Sequence, residues 1–353
     1  MITYLSKIFK KKQDVLKQNN ITNNLATERL YIFDFLRFIS CFLVCIGHTI
    51  NKQHKVHIPS QLMLGTAMPI FFFITGYLIP MSLERCNVKQ FIIKRFFRLI
   101  PVLCIATLFS CTIFHKYDVL KILGNIFMFT DLLNLNPKNA ADMKQYYIVQ
   151  QGWSMQVEIK FYLLAALSFL LLRRYSIRIK LYFMFFITFF VFLTINILHF
   201  KYLFNSFAMC CSLVACVLIG NIYYAFNCNK ITSLEYFFLQ SVSSILTVIA
   251  QPKYLSGVIV VNLICLVYKY SNFKYISFNN TFIKYLANLS YSMYLFHIVF
   301  FRIAEKVYAQ HNSILILYRL EFLIICILVC HFVYKYIEKP CYDFGRKLAK
   351  KFN

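Results

Sequence analysis

Two ionisable residues in the first apolar stretch of the chain, Arg37 and His48, have a spacing that could serve chemistry. They are eleven residues apart, which is about three turns and about 16 Å along the axis of an α-helix, so they share one face. A guanidinium suits an anionic ligand, and an imidazole, with a reference pKa of about 6.5, suits proton transfer. Asp34 lies one turn before Arg37 and can pair with it. The alternative is that Asp34 and Arg37 anchor the helix end and that His48 lies at an interface.

Two later stretches carry further ionisable residues. The segment WSMQVEIKFY places Glu158 a turn and a half after Trp153, the only tryptophan. The segment LSYSMYLFH places Tyr294 and His297 on one side of a helix. The alternatives are an interfacial tryptophan with a glutamate that reaches the interface, and a histidine held by hydrogen bonds. Because ionisable residues within a membrane are costly, each is also a candidate for function.

The segment KRFFRLIP holds Arg95 and Arg98, three residues apart and so on one helical face. The default explanation is a basic cluster that orients the chain, and the sharper one is an anion-binding site, because guanidinium groups bind phosphates in a bidentate manner. If the N-terminus is cytoplasmic, these two residues and Arg37 belong to the inner half of the membrane, whereas Glu158 and the two histidines belong to the outer half. One end then suits a polyanionic cytoplasmic ligand, and the other suits acid/base chemistry on an extracytoplasmic acceptor.

Membrane-spanning helices must position these residues. The chain has 353 residues, of which 60% are hydrophobic and 14% are charged, and its mean hydropathy is +0.62. A soluble domain averages about 45–50% apolar and about 25% charged residues, so an ordinary cytosolic enzyme is excluded. Stretches of about 20 mostly apolar residues predict an all-α, polytopic membrane helical bundle with about ten transmembrane helices. The predicted spans are 31–51, 64–83, 96–115, 153–172, 180–200, 204–226, 234–251, 254–270, 282–302 and 314–335, and the weaker stretch 119–133 predicts a re-entrant or interfacial helix.

The distribution of charge predicts the orientation. There are 38 basic and 13 acidic residues, which give a net charge of +25. The basic residues concentrate in alternate loops, as the positive-inside rule requires when the N- and C-termini are cytoplasmic. This pattern excludes a nucleic-acid binder, which would gather its basic residues on one solvated face. We predict a basic cytoplasmic segment 1–29, a membrane domain 30–340 and a basic cytoplasmic tail 341–353.

The cysteines agree with this orientation. Ten of the thirteen lie inside apolar runs, where they are typical packing residues rather than disulfide or metal ligands. The other three, Cys86, Cys228 and Cys341, fall on the predicted cytoplasmic side, where thiols stay reduced. We therefore expect no metal.

Six motifs together resemble the acyltransferase 3 family of bacterial integral membrane O-acyltransferases, which acylate cell-surface glycans. In the family's order they are FDFLRFISCFLVCIGH, which holds the family's R-x10-H, then FFFITGYLIP, KRFFRLIP, WSMQVEIKFYLL, LSYSMYLFH and YKYIEKP. The resemblance covers nearly the whole chain and is to short, stand-alone members, in which no SGNH-type esterase domain follows the last span. Phe35 and Phe38 stand where small residues are usual, and Thr75 stands for a common serine. Ile159 stands for a frequent second glutamate, so Glu158 is the only carboxylate at that point.

The resemblance implies an enzyme that moves an acetyl group from cytoplasmic acetyl-CoA to a hydroxyl of a cell-surface or lipid-linked glycan, in the inner membrane of a bacterium. We expect the donor phosphates to bind at Arg37, Arg95 and Arg98. We expect His48 to act as general base, with Glu158 orienting it or a partner. The residues expected to contact the acceptor are Trp153, Tyr294 and His297. Membrane lipids, polysaccharide-assembly proteins or a second copy of the chain are further expected partners.

Several alternatives stay open at this point. The acetyl group could pass directly to the acceptor or first to a group of the protein. Succinyl or another short acyl group could replace acetyl. A transporter of a glycan or an acyl precursor is the alternative function, although transporters often show inverted repeats and none is apparent in the sequence. A structural scaffold would leave His48 and Glu158 without a purpose.

Overall fold

The computed structural model describes residues 31–50, 57–115, 117–128, 148–197, 205–270, 281–308 and 315–352, and the regular elements in these ranges are helices. Their bounds in chain order are α1 (Tyr31–Ile50), α2 (His57–Arg85), α3 (Val88–Phe114), α4 (Val119–Ile126), α5 (Gly152–Leu171), α6 (Ile177–Ile197), α7 (Asn205–Asn227), α8 (Ser233–Ala250), a 3₁₀ turn (Pro252–Tyr254), α9 (Leu255–Tyr270), α10 (Thr281–Val307), α11 (Leu315–Val333), a π-helix (Tyr334–Glu338) and α12 (Lys339–Lys350).

The helices coincide with the apolar stretches of the sequence. A helix lies at each of the ten predicted spans. Six of the described helices are long and apolar enough to cross a membrane: Tyr31–Ile50, Pro59–Arg85, Val88–Phe114, Gly152–Leu171, Ser233–Ala250 and Leu317–Lys350. Shorter apolar helices occupy Val214–Asn227 and Pro252–Tyr268. The all-α, polytopic membrane bundle predicted from the sequence is therefore confirmed, and α4 begins the weaker stretch, whose residues 129–133 lie outside the described ranges.

Helix α2 is the centre of the bundle and packs against α1, α7 and α9. Its crossing with α7 depends on two glycines that face each other's helix. A Cβ at Gly76 would lie 1.9 Å from the Val217 carbonyl oxygen, and one at Gly220 would lie 2.1 Å from that of Phe73. Close backbone approach at small residues is the usual way in which helices pack within a bilayer. The contact fixes the position of Thr75, the neighbour of Gly76.

A second group of helices closes around α1. Helix α10 packs against α1 and α11, and α12 packs against α3. Gly345 of α12 lies against the Phe97 ring, where a Cβ would be 2.5 Å from that side chain. The Asn87 amide, at the N-terminus of α3, donates a hydrogen bond of 2.7 Å to the Phe352 carbonyl. Residues 341–352, predicted as a tail, thus form part of α12 and the turn after it, whereas segment 1–29 lies outside the described ranges.

Hydrogen bonds between helix ends show which loops share an end of the bundle. The Tyr224 hydroxyl of α7 donates to Glu84 of α2 at 2.6 Å, and the Asn227 amide donates to the Tyr77 hydroxyl at 2.9 Å. The C-termini of α2 and α7 therefore lie together, beside the start of α3 and the packed end of α12. Arg319 of α11 marks the opposite end, because it contacts the last turn of α1.

Candidate active site

A cavity of about 420 Å³, here called the arginine cavity, lies between α1, α3, α10 and the C-terminal helices. Arg37 and Arg98 both line it, and the Arg37 guanidinium lies 3.6 Å from the Asp34 carboxylate. The other charged side chains of its wall are Glu338, Lys339, Asp343 and Arg346. Four cations thus face three carboxylates, and the volume is within the usual range of about 300–1,000 Å³ for small-molecule sites.

Four of these charged residues, Glu338, Lys339, Asp343 and Arg346, were not among the candidate site residues predicted from the sequence. The Glu338 carboxylate is 8% exposed and accepts a hydrogen bond of 2.6 Å from the Ser292 hydroxyl. Glu338 is the last residue of the π-helix. π-Helices are rare in proteins, and those that occur often lie at functional sites. Lys339 and Arg346 follow on α12. The carboxylate in the YKYIEKP motif was the sequence signal that could have identified Glu338. The residues after this motif were predicted to be a basic cytoplasmic tail.

Arg95 faces different surroundings from Arg98. Its guanidinium lies over the rings of Phe91, at 5.2 Å, and Tyr162, at 5.0 Å. It lines a separate apolar groove of about 210 Å³ between α3 and α5, whose outer rim includes the exposed Phe127. Ile159, where the family often has a second glutamate, lines the same groove. The structure therefore does not bring Arg95 into the arginine cavity.

Glu158 of α5 is buried, with 5% of its surface exposed. Its carboxylate accepts hydrogen bonds from the Tyr162 hydroxyl and, at 3.4 Å, from the Thr75 hydroxyl. Thr75 keeps the hydroxyl of the serine that it replaces. Arg37 and Arg98 are close enough to attract the Glu158 charge. Among the described residues, the hydrogen bonds of Glu158 thus go to Thr75 and Tyr162 rather than to His48.

The structure brings His48 and His297 together, and we call them the histidine pair. Their ring centroids are 5.4 Å apart. The Nδ1 atom of the fully buried His297 lies 2.8 Å from the Tyr294 carbonyl oxygen and 3.2 Å from that of Met293, from which we infer that Nδ1 carries the hydrogen. Nε2 is then a hydrogen-bond acceptor, and it has no partner within the part of the chain that the structure describes.

The residues at the start of α5 complete this end. The Gln151 amide nitrogen donates to the Leu295 carbonyl at 3.2 Å, while its buried Oε1 atom has no partner among the residues described. Tyr294 and Ser154 share a hydrogen bond of 2.6 Å between their hydroxyls. Trp153 is partly buried and packs against the hydrophobic core. Two buried acceptors without partners in the described part of the chain, His297 Nε2 and Gln151 Oε1, therefore lie at this end of the bundle.

Arg319 holds the backbone at His48, although the sequence did not single it out. It is 2% exposed, and its Nη1 atom donates to the carbonyls of Thr49, at 2.8 Å, and His48, at 3.4 Å. Its Nη2 atom is hydrogen-bonded to the Glu305 carboxylate. The last carbonyls of a helix lack intrahelical donors, so this arginine caps α1. An arginine within an apolar span was the signal that could have found it.

The buried cysteines form no metal centre in the described part of the chain. Cys41, Cys45, Cys326 and Cys330 are buried free thiols of α1 and α11, and the two sulfurs of α11 lie 3.8 Å apart. Over the ranges that the structure covers, no group of three or more His, Cys, Asp or Glu side chains could hold a metal ion.

Comparison with known proteins identifies the family. No curated protein and no solved structure matches the chain. The family model described as an acyltransferase domain, that of acyltransferase 3, matches residues 30–334. This range contains Arg37, Arg98, Glu158 and the histidine pair. The transporter alternative is not supported. The chain therefore belongs to the acyltransferase 3 family and is a multi-pass membrane acyltransferase, an enzyme that requires an acyl donor.

Proposed function

We propose that this enzyme takes an acetyl group from acetyl-CoA in the arginine cavity and transfers it to a glycan hydroxyl at the histidine pair. The observation that carries the proposal is the separation of two unlike sites along α1. Arg37 begins the path and His48 ends it, about 16 Å further along the helix axis. Cations suit the phosphates of the donor, and unpaired buried acceptors suit the hydroxyls of a sugar.

The donor end supplies phosphate-binding groups. Arginine binds phosphate oxygens in a bidentate manner, and Arg37 and Arg98 both face the arginine cavity. Lys339 and Arg346 add two further cations from α12. Tyr342, in the same wall, offers an aromatic face to the adenine base. We place this end at the cytoplasm of a bacterial cell, where acetyl-CoA is available.

The acceptor end supplies hydrogen-bond acceptors to a polyhydroxyl ligand. A buried acceptor without a donor costs free energy, about 1–3 kcal/mol, and a sugar hydroxyl would remove that cost. His297 Nε2 and Gln151 Oε1 are two such atoms. The His297 ring lies 5.4 Å from the His48 ring, and the Gln151 side chain lies against His297, so a hydroxyl that binds His297 Nε2 is within reach of the His48 imidazole.

The reaction needs two proton transfers, one to His48 and one from it. His48 takes the proton from the acceptor hydroxyl as its oxygen attacks the thioester carbonyl carbon. A C–O bond forms, the C–S bond breaks, and the His48 imidazolium returns the proton to the departing CoA thiolate. Arg319 keeps His48 in place by holding the end of α1. Glu158 orients Tyr162 and balances the charges of Arg37 and Arg98.

The test measures transfer from acetyl-CoA labelled in its acetyl group. Inverted membrane vesicles from cells that express the enzyme receive this donor, and both CoA release and label in the glycan fraction are followed. We expect His48→Ala to lower both rates by about 10²–10⁴-fold, the usual contribution of a general base.

A second histidine provides the matched control. His115 is exposed at the end of α3 and has a positive φ of 52°, which asparagine tolerates. His115→Asn should therefore keep the wild-type rate. Equal CoA release by the wild type and His48→Ala would contradict the proposed mechanism, and CoA release without label in glycan would contradict a glycan acceptor.

A further inference from the structure

Residues of three helices, α1, α2 and α10, line a small void between the arginine cavity and the histidine pair. Along α1, Arg37, Cys41, Val44 and His48 follow one another at spacings of four, three and four residues, which keeps them on one face. Ser290 of α10 lines the arginine cavity and also a small void above it. This void, here called the passage, is lined by Ser40, Cys41, Val44, Ala67, Met68, Phe71, Ser290 and Tyr294. It lies one helical turn before His48 on α1 and one turn before His297 on α10.

The passage is narrow. Its volume is about 10 Å³, against about 420 Å³ for the arginine cavity. A void of about 10–15 Å³ is the smallest that holds one water molecule. The thioester carbonyl must therefore displace part of the wall to reach His48, and the smallest acyl group requires the smallest displacement.

Several parts of the wall are held in place by polar or aromatic contacts. The Phe71 ring stacks on the Tyr294 ring, with centroids 6.1 Å apart and planes 10° apart. The Tyr294 hydroxyl is fixed by Ser154 at 2.6 Å. The Cys41 thiol donates to the Ser290 carbonyl at 3.3 Å. These contacts tie α1, α2, α5 and α10 together around the passage.

Met68 and Val44 supply aliphatic parts of the wall, and they are 6% and 4% exposed. Methionine is unbranched and rotates about three bonds, so Met68 can yield to a small group. Valine is stiff at χ1, so Val44 keeps its volume in the passage. The lining also includes no charged side chain.

We propose that Met68 and Val44 set the length of the acyl group that reaches His48, and that they limit it to two carbons. This inference rests on the proposed function, because it assigns specificity to the same donor and the same base. A longer chain would have to occupy the passage while its carbonyl reacts, and one additional methylene in an apolar pocket changes selectivity by about 10–200-fold.

The experiment compares CoA release from acetyl-CoA and butyryl-CoA by the purified enzyme in lipid vesicles that contain acceptor glycan. We expect the wild type to prefer acetyl-CoA by at least about tenfold. Met68→Ala removes three heavy atoms from the passage and should raise the butyryl-to-acetyl ratio by about tenfold or more. Met68→Leu keeps the volume of the side chain and should therefore keep the preference for acetyl-CoA. This variant still tests the role of side-chain volume if Met68→Ala folds poorly.

Met81→Ala is the matched control, because it makes the same change on the same helix outside the passage. It should leave the ratio unchanged. Equal rates with acetyl-CoA and butyryl-CoA in the wild type, with both rates dependent on His48, would overturn the passage proposal and leave the proposed function intact. Equal changes of the butyryl-to-acetyl ratio in Met68→Ala and Met81→Ala would likewise overturn the passage proposal and leave the proposed function intact. Absence of His48-dependent release from either donor would overturn both.

Discussion

Arg95 and Arg98 share a helix turn but contribute to different cavities. Arg98 lines the arginine cavity, whereas Arg95 lies over two aromatic rings in the groove between α3 and α5. We expect Arg98→Gln to raise the KM for acetyl-CoA by about tenfold or more, because hydrogen bonds to charged groups contribute about 1.5–3 kcal/mol. Steady-state CoA release over a range of donor concentrations measures this change.

The same assay separates the two arginines. Arg95→Gln should change the KM for acetyl-CoA by less than about threefold, because it loses a cation–π contact rather than a bond to phosphate. Lys94→Gln, which removes one charge from the same helix outside both cavities, controls for the loss of charge itself. If Arg95→Gln raises this KM as much as Arg98→Gln does, both arginines bind the donor, as the sequence alone predicts.

For individual residues, the sequence predicts their spacing along one helix. Arg37 and His48 lie on one face of α1 because the helical period fixes that geometry. The structure alone shows that His297 lies beside His48, that Glu158 is hydrogen-bonded to Thr75 and Tyr162, and that Arg319 caps α1. Those contacts join residues between four and 271 positions apart, and most of them depend on how helices pack. Nothing in the local sequence encodes that packing.

Among the helices, the α2–α7 crossing has the least room for an additional atom. A Cβ at Gly76 would lie 1.9 Å from backbone, which cannot rotate away as a side chain can. We expect Gly76→Ala to separate the two helices and to destabilise the bundle by about 1–3 kcal/mol or more. The thermal midpoint of the detergent-solubilised protein should fall clearly, and less protein should elute as a single peak in size-exclusion chromatography.

Gly47→Ala on α1 is the comparison for that variant. A Cβ at Gly47 would lie 3.0 Å from Leu64 Cγ and 3.4 Å from the Ser60 carbonyl oxygen, contacts that a shift of a few tenths of an ångström relieves. The thermal midpoint should therefore remain near that of the wild type. Equal losses for the two variants would mean that glycine's contribution to helix flexibility, and not the α2–α7 contact, explains the effect.

Helix positions were predicted well because apolar length fixes them. Each predicted span has a helix, although α2 and α3 begin at His57 and Val88, seven and eight residues before the predicted starts. Polar capping residues mark such ends, as Asn87 does for α3 and the Thr232 capping box does for α8. Which helices neighbour each other was not predictable. The small residues that decide neighbours, such as Gly76 and Gly220, have no distinguishing pattern in a single sequence. The packing of α12 on α3 likewise depends on Gly345 meeting Phe97.

For the whole molecule, the orientation in the membrane stays a prediction. Cys86 and Cys228 directly follow the C-termini of α2 and α7, Cys341 lies in the first turn of α12, and all three are partly exposed. If this end is cytoplasmic, a membrane-impermeant maleimide should label the three thiols in inverted vesicles but not in intact spheroplasts, as mass spectrometry of the peptides would show. Basic residues in the adjoining loops favour this orientation, since such loops are retained in the cytoplasm.

A cysteine introduced at the opposite end gives the complementary result. Tyr117 is 61% exposed and follows the C-terminus of α3. Tyr117→Cys should be labelled in spheroplasts and protected in sealed inverted vesicles. The reverse pattern for all four thiols would show that the bundle has the opposite orientation, with the arginine cavity facing outward.

The uncharged lining of the passage has an electrical consequence. Moving one elementary charge across a membrane changes its energy by about 2.3 kcal/mol per 100 mV. In the proposed reaction the acetyl group carries no charge and the CoA phosphates remain with the arginines, so the membrane voltage would do no work on the part that moves. A succinyl group would carry a carboxylate through the field and make the rate depend on voltage. If the proposed transfer of acetyl to glycan is correct, its rate should be the same in energised and de-energised membrane vesicles supplied with the same donor.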